Sequence, residues 1–283
     1  MDTVERIDKR QFDRDYVNKG RPVIITNDEA TRKLSGVWTL DYIAEKHAGL
    51  KVGVEYYQDG HRDGVWEIVP MELSEFVSRI RSGQSKEYYL GEALLEEALP
   101  NIVQDFQHPA FLEGRKILKT VMFAGVDTFT GCHYHSSSIE AILMQLVGDK
   151  KFIMYDTKDF YDAEPRPWYS LRHTYSKRQF DLQGAPGNAI TCTVRAGEIL
   201  FIPQGWFHAV EGLSESVSIT TFFRGPWTGA PVRILARDYL HLGVQTVAIR
   251  PGLQLVRRLP RLRSAAVAVC KRIGLIEKHD MRN

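Results

Sequence analysis

Residues 197–208 read GEILFIPQGWFH, and this stretch decides the expected fold. The apolar run Ile199–Ile202 has the length and composition of a buried strand, and Pro203, Gln204 and Gly205 then supply a tight turn. His208 follows this turn at the start of a further strand. The stretch therefore predicts that a rigid turn holds the imidazole of His208, a possible metal ligand, at the start of a strand.

The same sequence pattern extends on both sides, over residues 121–225, where short apolar runs alternate with glycine and proline turns. This pattern is typical of an antiparallel sandwich or barrel. It predicts strands at 143–147 and Lys150–Tyr155, which Gly148 and Asp149 join as a type II′ hairpin. It also predicts a strand at 216–223. Upstream, the pattern predicts strands at 21–26 and 51–56, and helices at 38–44 and 73–80 capped by Thr39 and Ser74.

Composition narrows the class of protein. The 283 residues are 43% hydrophobic and 25% charged, which excludes a disordered or fibrous chain, and the formal net charge of +2 indicates no partner. The three cysteines are widely spaced, the first residues contain no apolar leader, and no apolar run approaches about 18 residues. We therefore expect a cytoplasmic protein without a membrane span.

The segment that carries the chemistry is TGCHYHSSS at 130–138. In a strand, residues i and i+2 point to the same side, so His133 and His135 are predicted to face one cavity. His208 offers a third imidazole. Three ligands on one side of an ion leave positions for O₂ and a bidentate co-substrate, and imidazoles suit iron as well as copper, nickel or zinc.

Several short motifs together resemble one family. They are GRPVII at 20–25, WTLDY at 38–42, YYL at 88–90, Leu99-Pro100, Thr130-x-x-His133-Tyr134, QLxGxKK at 145–151 and the stretch at 197–208. Over residues 4–225 the chain resembles the cupin-like, JmjC-type Fe(II)/2-oxoglutarate oxygenases, which include asparaginyl hydroxylases and a tRNA wybutosine hydroxylase. The most specific of these motifs is the one at 197–208.

The resemblance implies a fold and an activity. The fold is mainly β with flanking helices, a double-stranded β-helix or jelly-roll barrel followed by a C-terminal helical segment. The activity is hydroxylation of a C–H bond in a peptide or protein side chain, or in a small natural product, with Fe(II) and 2-oxoglutarate as cofactors. By the same resemblance Lys150 pairs with the distal carboxylate of 2-oxoglutarate, and Thr130 adds a hydroxyl to it.

The metal ligands depart from the family pattern of His-x-Asp and a distal His. If His133 is the first ligand and His208 the distal one, His135 stands where the carboxylate belongs. In a second register His135 is the first ligand and Ser137 takes the carboxylate position, while Glu140 reaches the site only through a bulged strand. Two rival functions follow, a three-histidine metalloenzyme that does not use 2-oxoglutarate and a non-catalytic binding protein of the same fold.

The last part of the chain differs in character. Residues 231–283 contain eleven Lys and Arg against three acidic residues, and Val232, Leu235, Ala236, Tyr239 and Leu240 recur at helical intervals. We expect an oxygenase domain at 1–230, with its barrel core at about 121–225, and a basic helical extension at 231–283. Members of the family often dimerise through C-terminal helices, so we expect a homodimer, and RNA binding is the alternative with less weight.

Overall fold

The computed structural model describes residues 4–12, 14–57, 66–83, 87–136, 139–170, 172–177, 188–225 and 232–246. The strands are β1 (Arg6–Asp8), β2 (Val23–Thr26), β3 (Lys51–Tyr57), β4 (Trp66–Glu72), β5 (Tyr88–Leu94), β6 (Ile117–Gly125), β7 (Phe129–His133), β8 (Ile139–Val147), β9 (Lys150–Tyr155), β10 (Ile190–Val194), β11 (Ile199–Ile202), β12 (Phe207–Gly212) and β13 (Ser216–Arg224). The α-helices are α1 (Arg14–Lys19), α2 (Glu29–Val37), α3 (Leu40–Lys46), α4 (Leu73–Arg81), α5 (Leu95–Ala98) and α6 (Val232–Val244).

Within these ranges the strands form two sheets. The larger has nine strands in the order β1-β2-β11-β8-β13-β6-β5-β3-β4, and the smaller has four in the order β10-β9-β12-β7. Apolar side chains from both sheets, such as Leu143 and Leu200 of the larger and Phe152 and Met154 of the smaller, pack into one core. Two sheets facing each other across a shared core confirm the mainly β jelly roll predicted from the sequence.

Helices cover the outer face of the larger sheet. Leu40 and Ile43 of α3 and Phe76 of α4 are buried in the core on that side. Helix α3 begins as predicted, because the Thr39 side chain accepts a hydrogen bond from the backbone N–H of Tyr42. The predicted Ser74 cap is wrong: α4 already begins at Leu73, with Glu72 at the N-cap position.

The predicted hairpin at Gly148 and Asp149 is also wrong. Strand β8 pairs with β11 and β13 in the larger sheet, whereas β9 pairs with β10 and β12 in the smaller one. The two-residue link therefore carries the chain from one sheet to the other. It packs against the link between β12 and β13, since the N–H of Leu213 donates to the carbonyl of Asp149 at 3.0 Å.

Helix α6 lies against the outer face of the smaller sheet, where Ile234 joins a cluster with Phe160 and Phe207. Residues of the apolar stripe predicted for this helix do not pack against the sheet, since Val232, Tyr239 and Leu240 are 80%, 49% and 55% exposed. Of the described helices, none combines the length and the apolar character that crossing a bilayer requires. The rest of the basic extension, residues 247–283, lies outside the described residues.

Gly148 permits the close approach of the two links, and its replacement by Ala is expected to destabilise the fold. Its φ is +64°, and a Cβ there would lie 2.0 Å from the carbonyl oxygen of Glu215. We expect Gly148→Ala to lower the free energy of unfolding by roughly 2–4 kcal/mol, as measured by chemical denaturation. The control Gly36→Ala, in α2 with open space around the new methyl, is expected to raise it by about 0.5–1 kcal/mol. Equal midpoints for both variants would contradict this interpretation.

Candidate metal centre

The pairing of β12 with β7 brings the predicted histidines together. His208 lies directly opposite His133 in the antiparallel ladder, and His135 follows β7 by two residues. The ring centroid of His208 lies 4.4 Å from that of His133 and 4.8 Å from that of His135. The three residues can present one nitrogen each, all within 4.8 Å of one another, so they form a group able to hold a metal ion.

A β-bulge brings Thr130 to the same cavity as His133. In a regular strand two residues three positions apart point to opposite faces. Here His208 pairs with His133 but Val210 pairs with Thr130, so β7 contains one more residue than β12 between these pairs. As a result Thr130 and His133 both line the cavity.

Hydrogen bonds fix the orientation of two of the imidazoles. The Nδ1 atom of His133 lies 2.9 Å from the carbonyl oxygen of Gly131, and that of His208 lies 3.0 Å from the carbonyl oxygen of Trp206. Because a carbonyl oxygen only accepts, each Nδ1 carries a proton, and in the neutral ring this leaves the lone pair on Nε2. Histidines that ligate metals in proteins also donate their other ring N–H to a carbonyl or carboxylate oxygen.

The third imidazole and the protonation states also suit a metal. The Nδ1 atom of His135 is buried and has no hydrogen-bond partner in the described part of the chain. Burial, and then the neighbouring His208, His133 and Lys119, hold the pKa of His135 well below its usual value. Burial, followed by His133, lowers the pKa of His208 to about 3. Both rings are therefore neutral at pH 7, as metal ligands must be.

The group opens onto a cavity of about 370 Å³ between the two sheets. Lys150 lines this cavity and is 2% exposed, and its Nζ donates to the Ser218 hydroxyl at 2.7 Å. Thr220 lines it as well, with a buried hydroxyl that has no hydrogen-bond partner within the described ranges. A buried ammonium beside hydroxyl groups can bind a carboxylate.

The two alternative ligands predicted from the sequence are Glu140 and Ser137. Glu140 lies in β8 on the face opposite to Leu143, which lines the cavity, and it does not join the three histidines. Its Oε2 is buried without a hydrogen-bond partner among the described residues, and burial, partly offset by Arg115, raises its pKa to about 7. Ser137 lies outside the described residues.

Sequence reasoning missed several residues of the site. Tyr175 stacks on His133 with ring centroids 5.4 Å apart, and it comes from a segment 42 positions along the chain with no local signal. Ser218 could have been found, because Ser216, Ser218 and Thr220 alternate with apolar residues in a buried strand. Further residues that line the cavity include Glu55, Tyr57, Tyr89, Glu92 and Arg172.

With this geometry established, comparison with known proteins gives the family. A model described as the cupin-like domain matches residues 9–228. This chain belongs to the cupin-like domain family. The predicted resemblance to JmjC-type oxygenases is confirmed, because similar proteins include a tRNA wybutosine-synthesizing protein 5 and a lysine-specific demethylase.

Three relatives of this cupin-like chain illustrate the range. It is 24% identical to tRNA wybutosine-synthesizing protein 5 of Danio rerio over 77% of its own length and 73% of that protein. It is 28% identical to lysine-specific demethylase JMJ30 of Arabidopsis thaliana over 77% of its length and 54% of that protein. It is 21% identical to JmjC domain-containing protein A of Dictyostelium discoideum, covering 92% of that protein.

The buried carboxyl of Glu140 makes a prediction about pH. Its pKa is raised on folding, so the folded state binds more protons between pH 4.5 and about 7, and stability falls as pH rises through that window. We expect Glu140→Gln to remove this fall. Between pH 4.5 and about 7 the stability of the variant relative to the wild type should therefore rise by on the order of 3 kcal/mol. Thermal melts across pH measure this. The control Glu96→Gln changes an exposed carboxylate in α5, and identical pH profiles for both variants would disprove the assignment.

Proposed function

We propose that this chain is an oxygenase that uses Fe(II) and 2-oxoglutarate to hydroxylate a C–H bond. The observation that carries the proposal is that the three histidines share one cavity with the buried Lys150. His133, His135 and His208 would hold the metal, and the fixed orientation of the His133 and His208 rings fits that role. Bound there with 2-oxoglutarate and O₂, the metal would supply the oxidising chemistry.

The residues around the ion would position the co-substrate. Lys150 would bind the distal carboxylate of 2-oxoglutarate from its place beside Ser218, and Thr130 and Thr220 would donate hydrogen bonds to it. Apolar walls from Leu143, Phe152 and Phe222 would exclude water from the same cavity. The co-substrate would therefore be bound at both ends before a substrate enters.

Charge makes His135 the most consequential of the three ligands. A divalent ion held by three neutral imidazoles keeps a local charge of +2, whereas one carboxylate would reduce it to +1. The carboxylate of 2-oxoglutarate at the metal would reduce the charge of +2 to +1, while the distal carboxylate would pair with Lys150. Metal binding and 2-oxoglutarate binding should be more strongly coupled in this centre than in one with a carboxylate ligand.

The variant His135→Asp tests this coupling. We expect Co(II), a redox-stable probe, to bind His135→Asp more tightly than wild type when 2-oxoglutarate is absent. We also expect the factor by which 2-oxoglutarate tightens Co(II) binding to fall about tenfold, measured by calorimetry. His135→Ala separates charge from ligand number, since it removes the imidazole without adding a carboxylate. The same factor in all three proteins would contradict the charge argument.

Lys150 can be tested against its neighbour. We expect Lys150→Met to weaken 2-oxoglutarate binding roughly 10- to 100-fold, because a charged hydrogen bond is lost, while metal affinity stays within about twofold. Lys151→Met, on the less buried neighbour, is the control and should bind like wild type. Calorimetry and succinate release under air measure the two steps. If Lys150→Met binds 2-oxoglutarate as the wild type does, this role of Lys150 is wrong.

A second candidate function is favoured by one observation, the absence of a carboxylate from the described metal-binding group. It is a three-histidine metalloenzyme that acts without 2-oxoglutarate and holds copper, nickel or zinc instead of iron. Elemental analysis of the purified protein, with an assay for 2-oxoglutarate-dependent succinate, distinguishes the two. A metal-free protein that makes no succinate would instead support a non-catalytic binding role.

The relatives' names suggest which classes of substrate to consider. One names tRNA and another names lysine demethylation, so both RNA and protein occur among the targets of similar proteins. For this chain we propose a peptide or protein side chain, or a small molecule, with RNA as the alternative. Dimerisation through the C-terminal segment and a cytoplasmic location stay predictions.

A further inference from the structure

A second polar cluster lies behind the candidate metal centre, on the outer side of the smaller sheet. It consists of Tyr134, His173, Asp238 and His241, and we call it the α6 latch. The Tyr134 hydroxyl donates to Asp238 Oδ1 at 2.6 Å, and His173 Nε2 lies 3.4 Å from the same oxygen. The rings of His173 and His241 stack with centroids 3.5 Å apart. The latch therefore joins helix α6 to the segments around β7.

The position of Tyr134 gives the latch a connection to the metal ligands. Tyr134 stands between His133 and His135, and its ring is buried on the opposite side of the chain, against Phe160 and Phe207. Its hydrogen bond to Asp238 thus holds the backbone that carries two of the three ligands. A shift of this backbone would move both imidazoles together, because they flank the same residue.

A second connection runs through the segment 172–176. The backbone N–H of Tyr134 donates to Thr174, and that of Ser176 donates to Cys132, so this segment forms a short ladder with the end of β7. Tyr175 in the same segment stacks on His133. Helix α6 holds the segment as well, since Arg237 donates to the carbonyl of His173 at 2.8 Å.

Helix α6 is attached through polar contacts more than through apolar ones. Ile234 is the apolar side chain that α6 buries among its described residues, while its remaining buried residues are Asp238 and His241. A buried carboxylate is costly unless it is hydrogen-bonded, so Asp238 favours the one docked position in which Tyr134 and His173 reach it. The contacts of Asp238 with Tyr134 and His173 therefore dock the helix and hold the ligand-bearing segment at the same time.

We propose that Asp238 is a positioning residue for the metal centre, acting through Tyr134 and His173 on the segment that carries His133 and His135. This inference rests on the proposed metal site. Because coupling is reciprocal, a metal bound by the histidines also strengthens the contacts of Asp238 with Tyr134 and His173. A residue more than 100 positions from His133 in the sequence thus sets the geometry of two ligands.

Two conservative variants test the proposal. Tyr134→Phe removes the hydroxyl and keeps the packed ring, and Asp238→Asn removes the charge and keeps the shape. We expect each to weaken Co(II) binding about tenfold, the lower end of the range for residues that hold metal ligands in place, and to change the visible spectrum of bound Co(II). The double variant should lose little more than either single one, because both remove the same link.

The control is Arg233→Gln on the same helix, because Arg233 bonds the carbonyls of Thr157 and Lys158 and not the latch. It should leave Co(II) affinity and spectrum unchanged. Hydrogen exchange without metal gives an independent measurement, since the amides of Tyr134 and Ser176 should exchange at least several-fold faster in both latch variants. Wild-type affinity, spectrum and exchange in folded Tyr134→Phe and Asp238→Asn would overturn the proposal.

Failure of the metal site itself would be seen separately. If the wild type binds no Co(II), the proposed function is wrong and Asp238 has no ligands to position. If the wild type binds Co(II) and the latch variants bind it equally well with unchanged exchange, only the positioning role is wrong.

Discussion

The ladder between strands β7 and β12 is the constraint on which the candidate site depends. It sets His133 opposite His208 on the side of the smaller sheet that faces the larger one. The backbone hydrogen bonds of this ladder are satisfied whatever the two side chains are, so the fold can place two imidazoles side by side at little cost to itself. Their proximity becomes unfavourable only if both are protonated, and burial lowers the pKa of His208 to about 3, so that His208 stays neutral.

The bulge in β7 modifies this ladder at a functional point. A regular strand would turn Thr130 away from the cavity that contains His133, and the extra residue in β7 turns it back. Lys150 reaches the same space from β9, the next strand but one in the smaller sheet, and Ser218 reaches it from the larger sheet. The residues that would bind the metal and the carboxylate are thus drawn from both sheets, and they line a cavity of about 370 Å³.

Features encoded by neighbouring residues were predictable from sequence. The Thr39 cap of α3 and the strands β2, β3, β11 and β13 depend on local chemistry and alternation. The hairpin at Gly148 was predicted wrongly because a two-residue glycine link suits both a turn within one sheet and a crossing between two, and only the pairing of β8 and β9 with other strands separates them. Helix α6 was predicted, but not its orientation, since the barrel contacts it through Asp238 and His241 as well as Ile234.

The candidate ligands were found from spacing and from family resemblance, whereas the residues that orient them were not. Tyr175 and Asp238 act on His133 and Tyr134 across gaps of 42 and 104 positions, and no local pattern records such a contact. This difference has a physical reason. A ligand must have a donor atom and so belongs to few residue types, while a residue that holds a ligand in place needs only a well-placed hydrogen bond or ring. The first constraint is visible in a sequence, and the second becomes visible only once the strands have been paired.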